Sequence, residues 1–150
     1  MKKNENIRIV IVESTFQQEI SENLEKHCVK TLKENGITES NIVIVKVPGS
    51  LEIPLAAKNL AKKNAYDAII VFGAIHKGET YHFELIANEC ARGCMDVSLA
   101  YEIPVIFEVL AVYDINDAIK RATRQKENRG VEGALTALSM IKTLQEISSL

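Results

Sequence analysis

Asp67–Gly73 reads DAIIVFG and runs directly into Ala74–Phe83, AIHKGETYHF. A short run of β-branched and aromatic residues, bounded by an aspartate and a glycine, predicts a buried strand. The polar stretch behind it gives way to helical spacing from Thr80 to about Ala100, so the segment predicts strand, loop, helix. Three further runs have the same character: Ile7–Val12 (IRIVIV), Asn41–Val47 (NIVIVKV) and Pro104–Val112 (PVIFEVLAV). Their near-continuous apolarity predicts strands covered on both faces, as in a parallel sheet between helices. Ile20, Leu24, Cys28 and Leu32 recur at intervals of four with charges opposite, and Gly36 follows as a stop. Leu51–Lys63 predicts a second helix, Asn116–Ala122 a short one and Arg129 to Ile147 a long one. Four strands, each followed by a helix, predict an α/β chain. Its architecture is three-layer α/β/α with a four-stranded parallel sheet, flavodoxin-like and doubly wound with right-handed crossovers.

No repeat, low-complexity tract or linker divides the 150 residues, which predicts a single domain over 1–150. A net charge of -2, with Lys and Arg scattered, offers no attraction for nucleic acid or an anionic membrane. The apolar run after the charged MKKNENIR terminus is too short for a signal-peptide core or a membrane span. Three cysteines, Cys28, Cys90 and Cys94, form an odd set suited to a reducing cytosol, so a cytoplasmic location is expected. Cys90 and Cys94 share a helical face, but no Cys or His pair elsewhere stands at zinc spacing. They read as small buried apolar residues.

In open parallel sheets ligands bind beyond the carboxyl ends of the strands, which directs attention to Ser14–Gln17, Val47–Leu51, Gly73–His82 and Ala111–Asp114. Thr80 is a good N-cap type, and uncapped amides with the positive end of a helix would make an anion cradle. Gly78 permits close backbone approach by a ligand. His82, in the first helical turn, has a side chain able to take and give protons near neutrality; on local pattern alone a merely solvated histidine is the weightier reading. Pro48-Gly49 turns the chain, Ser50 can cap the next helix, and Pro54 is tolerable in a first turn. Glu52 could accept from a polyol or complement the helix dipole, and the second is the simpler account. Phe16 could stack on a planar heterocycle or, as lone aromatics near strand ends more often do, close the core. Arg121 and Arg129 are surface charges unless an anion is their partner.

Taken together these segments say more. VPGSLEIPLAAK (Val47–Lys58) and GETYHF (Gly78–Phe83) resemble, in order, two signature segments of the lumazine synthases. IPVIF (Ile103–Phe107), AIKRA (Ala118–Ala122) and NRG (Asn128–Gly130) continue the likeness, which runs from about Ile7 to Met140. The resemblance implies condensation of 5-amino-6-ribitylaminouracil with 3,4-dihydroxy-2-butanone 4-phosphate to 6,7-dimethyl-8-ribityllumazine, with loss of phosphate and water. It implies His82 as the proton-transfer residue, Phe16 stacked on the pyrimidine, and Glu52 accepting from the ribityl hydroxyls. It implies further that Ser50, Leu51, Ile75, Lys77 and Glu79 line the substrate site, with the Gly78–Thr80 amides and Arg121 holding the phosphate. Phe107, Arg121, Arg129 and Glu132 would come from a neighbouring subunit, so a homo-oligomer is implied: a pentamer, or twelve pentamers closed into a sixty-subunit icosahedral capsid. No metal or organic cofactor is implied.

Departures from the family pattern are Gln17 for Asn, Leu51 for an aromatic, His76-Lys77 for Ile-Arg, Glu108 for Gly and Ala111-Val112 for two threonines. Thr123–Glu127 lacks the usual glycines. Competing readings are an archaeal-type riboflavin synthase, against which GETYHF speaks, and a non-catalytic shell subunit that binds lumazine or flavin. A response-regulator receiver would need an acidic pair after the first strand and an aspartate after the third; Glu13 alone and Gly73-Ala74 do not supply them.

Overall fold

A computed structural model describes residues 1–150. Four strands, β1 (Ile9–Ser14), β2 (Ile42–Val47), β3 (Ala68–His76) and β4 (Val105–Val112), form one parallel sheet in the order β2-β1-β3-β4. The helices are α1 (Gln18–Glu34), α2 (Ile53–Ala61), α3 (His82–Tyr101), α4 (Ile115–Thr123) and α5 (Arg129–Ser148). One sheet face, with Ile9, Ile11, Ile70 and Phe72, is covered by α1, α4 and α5. The other, with Val10, Val12, Ile69 and Val71, is covered by α2 and α3. The expected three-layer α/β/α architecture is thus present.

Strand ends moved where pairing, not apolarity, decides them. β1 runs past its apolar residues to Glu13 and Ser14, both 1% exposed, because these still pair with Lys46 and Val47 of β2. β3 extends to His76 because Ile75 and His76 pair with Ala111 and Val112. Burial on both faces holds for β1 and most of β3, whereas β2 and β4, at the sheet edges, are only partly covered.

Two expected helix starts are corrected. α3 begins at His82, and Thr80 does not cap it: Tyr81 occupies the cap position with no side-chain hydrogen bond, and Leu85 N–H donates to Tyr81. The chain leaves β3 pinned by Lys77 N–H to the Val112 carbonyl (2.9 Å), so Gly78–Thr80 form an exposed connection before the first turn. Ser50 does not cap α2; it opens a 3₁₀ turn, Ser50–Glu52, and Glu52 holds the cap position. Ser50 is buried, and its Oγ lies 2.8 Å from where a Gly73 side chain would begin, so Gly73 makes room for it. At the far end of the chain Asp114 caps α4 through Asn116 N–H, and Asn128 caps α5 through Gly130 and Val131 N–H.

Candidate active site

The carboxyl ends of β1, β2 and β3 open onto a cleft of about 540 Å³. Phe16 enters it on a main chain that prolongs the β1–β2 ladder, with Thr15 N–H donating to Val47 (2.8 Å) and Phe16 N–H to Pro48 (3.2 Å). Its ring is 59% exposed, so Phe16 does not close the core. A rigid backbone carrying an exposed ring is a platform for stacking. From the β2 side come Ser50, Leu51 and Glu52. The Glu52 carboxylate folds over Gly49, with Oε2 2.8 Å from where a side chain there would begin, so a larger residue at 49 would displace it. Ile75, Gly78 and Thr80 arrive from β3 and the connection after it, and His82 from the first turn of α3. The amides of Gly78, Glu79 and Thr80 find no main-chain acceptor, and space beside Gly78 is open to 4 Å.

Lys77 and Glu79 do not line this cleft. Lys77 instead reaches Glu84 of α3 (Nζ to Oε1, 2.6 Å) and lies 5.9 Å from the centre of the Tyr113 ring. The ion pair raises the Lys77 ammonium above its ordinary value and holds the Glu84 carboxyl below its own. Lys77 therefore ties the Gly78–Thr80 connection to α3 and to the end of β4.

A second cleft, of about 430 Å³, runs along the open edge of β4 and carries Phe107, Glu108, Tyr113, Asp117, Arg121 and Arg129. Arg121 donates to the Asp117 carbonyl (3.0 Å) and lies 3.9 Å from its carboxylate. Arg129 pairs with Glu132 at 2.9 Å. The expected site residues thus fall into two groups, and one chain does not bring Phe107, Arg121, Arg129 and Glu132 together with His82. Phe83 and Ile86 in the first cleft and Asp117 in the second were not expected from the sequence, whereas Tyr113 falls within the Ala111–Asp114 strand end that was. Helical spacing would have found Ile86, four after His82, and Asp117, four before Arg121.

Cys28, Cys90 and Cys94 are buried free thiols, as expected of small apolar residues. Burial pushes the Cys28 thiol up, and a hydrogen bond with Cys94 does the same to Cys90. No helix is long and apolar enough to cross a membrane.

A family model for 6,7-dimethyl-8-ribityllumazine synthase matches residues 6–145, a span holding all four strands, both clefts and most of α5. With the sheet order, the exposed Phe16 and the His82 turn in place, the chain belongs to the 6,7-dimethyl-8-ribityllumazine synthase family, which catalyses a step of riboflavin biosynthesis.

Proposed function

We propose that this chain, acting as one domain in the cytoplasm, condenses 5-amino-6-ribitylaminouracil with 3,4-dihydroxy-2-butanone 4-phosphate. The observation that carries the reading is the content of the first cleft: an exposed ring, a carboxylate, unpaired amides and a histidine share one cavity. Each answers one demand of the reaction. Phe16 stacks on the pyrimidine, and Glu52 accepts from the ribityl hydroxyls. The amine attacks the ketone and an imine forms with loss of water; phosphate then leaves, and ring closure releases a second water. His82 carries protons between the amine, the ketone oxygen and the leaving groups. Such imine chemistry needs positioning and proton transfer, and the reading invokes no metal or organic cofactor.

The phosphate is held between the Gly78–Thr80 amides and the arginines of the second cleft, Arg121 and Arg129. Since those lie on another edge of the same chain, the second cleft is supplied by a neighbouring subunit, along with Phe107 and Glu132. The outer surfaces of α2 and α3 favour this, with Leu55 68%, Met95 59% and Leu99 73% exposed. The functional unit is a homopentamer, alone or as one of twelve in a shell. Mixing the protein with both substrates and following lumazine absorbance tests the activity; absence of lumazine, in protein that binds the pyrimidine, would make it a binding subunit instead. Sizing in solution at nanomolar concentration tests the assembly, and a fully active monomer would overturn it.

A further inference from the structure

Glu108 is a half-buried carboxylic acid in a strand of otherwise apolar residues. It lies on β4 opposite Phe72 of β3 and faces α5, where a side chain on Gly133 would begin only 3.1 Å from the Glu108 Cγ. Glycine at 133 is what leaves room for the carboxyl. The same side chain lines the β4-edge cleft with Arg121 and Arg129. The charged and titratable groups around it are Arg129 and Glu132 on α5, Cys28 and Glu25 on α1, and Asp117 and Arg121 on α4. Each arginine of the cleft already has one carboxylate of its own, Asp117 for Arg121 and Glu132 for Arg129. Glu108 is the acid left over.

Resting on the phosphate assignment above, we infer that Glu108 is a positioning residue of the anion site: ionised, it draws on Arg129 and weakens phosphate binding, and bound phosphate makes it take up a proton. The reasoning is electrostatic. A carboxylate and a phosphate in one half-enclosed cleft repel each other, and protonating the carboxyl from solvent removes that repulsion. Burial, opposed by Arg129 and reinforced by Glu132, already lifts the Glu108 carboxyl to about 7, so its proton is exchanged near neutrality. Glu108 touches no reacting atom in this scheme; it acts through Arg129.

The test compares the parent protein with Glu108→Gln, which keeps the shape and removes the charge. Inorganic phosphate binding is measured by calorimetry from pH 5.5 to 8.5, in buffers of different ionisation heat so that proton uptake is read directly. Titration of the phosphate itself is common to both proteins and cancels in their ratio. At pH 8 Glu108→Gln should bind phosphate about 3- to 10-fold more tightly than the parent, the two should converge below pH 6, and the parent's excess proton uptake should be absent from the variant. The Michaelis constant for the butanone phosphate should follow the same ratio, while that for the ribitylaminouracil stays put and reports an intact fold. Parallel pH profiles for parent and Glu108→Gln overturn the inference. If Arg121→Ala weakens phosphate while those profiles stay parallel, only the role of Glu108 falls. If Arg121→Ala binds phosphate as well as the parent does, the anion site itself is misassigned and the inference falls with it.

Discussion

At the level of single residues, the two side chains with most to answer for are His82 and Arg121. His82 is exposed at the first turn of α3, so water can relay protons in its absence. A positioned acid–base group contributes about 10²- to 10⁴-fold, and here the low end applies. His82→Ala should lower kcat by up to about 10²-fold with both Michaelis constants nearly unchanged; an unchanged kcat removes it from the mechanism. Arg121 is held on α4 by its own turn, through the Asp117 carbonyl, which leaves the rest of the guanidinium fork for an anion. Hydrogen bonds to charged groups contribute about 1.5–3 kcal/mol, so Arg121→Ala should raise the Michaelis constant for the butanone phosphate by roughly 10- to 150-fold. Arg121→Lys should recover part of that, because a point charge attracts but does not fork. The ribitylaminouracil carries no phosphate, and its constant should not respond. A butanone phosphate constant within about twofold of the parent's in Arg121→Ala misplaces the phosphate. Much of this site was legible as residue types at strand ends. What was not legible was orientation: nothing in the letters shows that Phe16 points outward or that Lys77 turns away to Glu84, since both depend on main-chain pairing with Pro48 and Val112.

At the level of elements, strand runs and helix periods were read from apolarity, and the errors fall where another force set the boundary. Thr80 and Ser50 have the chemistry of caps, yet β3–β4 pairing and the Gly73 gap placed them elsewhere. The connection from α4 to α5 shows the same competition, because local backbone and tertiary fit make opposite demands there. Gly130 stands so close to α1 that a side chain on it would begin 2.3 Å from the Leu24 carbonyl oxygen. A main-chain atom cannot swing aside, so Gly130→Ala should separate α1 from α5 and cost about 1–3 kcal/mol, lowering Tm by several degrees. Three residues earlier Glu127 adopts φ 53, in the left-handed region. Asn tolerates that conformation better than Glu and keeps clear of glycine's entropy cost. Glu127→Asn should therefore raise Tm, by about 1–3 °C, despite losing the exposed ion pair to Arg124. Thermal melts of the two variants should move in opposite directions; a fall in Glu127→Asn would mean that the Arg124 pair outweighs the backbone.

At the level of the whole molecule, the sheet carries three charged residues in one cross-strand row on its α1–α5 side: Lys46, Glu13, Phe72 and Glu108 are successive partners from β2 to β4, with the apolar Phe72 separating the two glutamates. Glu13 is 1% exposed, with Lys46 3.5 Å from one carboxyl oxygen and the other oxygen without a partner. Burial and the neighbouring Glu25 carboxyl lift Glu13 to about 7, and burial lifts Glu108 likewise to about 7. Both folded-state values lie above the ordinary 4.5, so the folded chain holds these protons more tightly than the unfolded chain does. Their stabilisation is complete below pH 4.5 and is lost as pH rises through about 7. The exposed Glu22 and Glu89 and the half-buried Glu84 are carboxylates shifted the other way by Gln18, Arg92 and Lys77 respectively, and they favour the fold above their ordinary range. Together these opposed slopes place maximum stability between about pH 4.5 and pH 7. Glu13→Gln isolates one of them, since the amide fills the same space and never ionises. Relative to the parent, the variant should gain about 2 kcal/mol on going from pH 5 to pH 8.5, with the change concentrated between those limits. Urea midpoints for both proteins across that range decide it. A parent-to-variant difference that stays constant with pH would mean that Glu13 is ionised throughout and that it forms a fixed ion pair with Lys46.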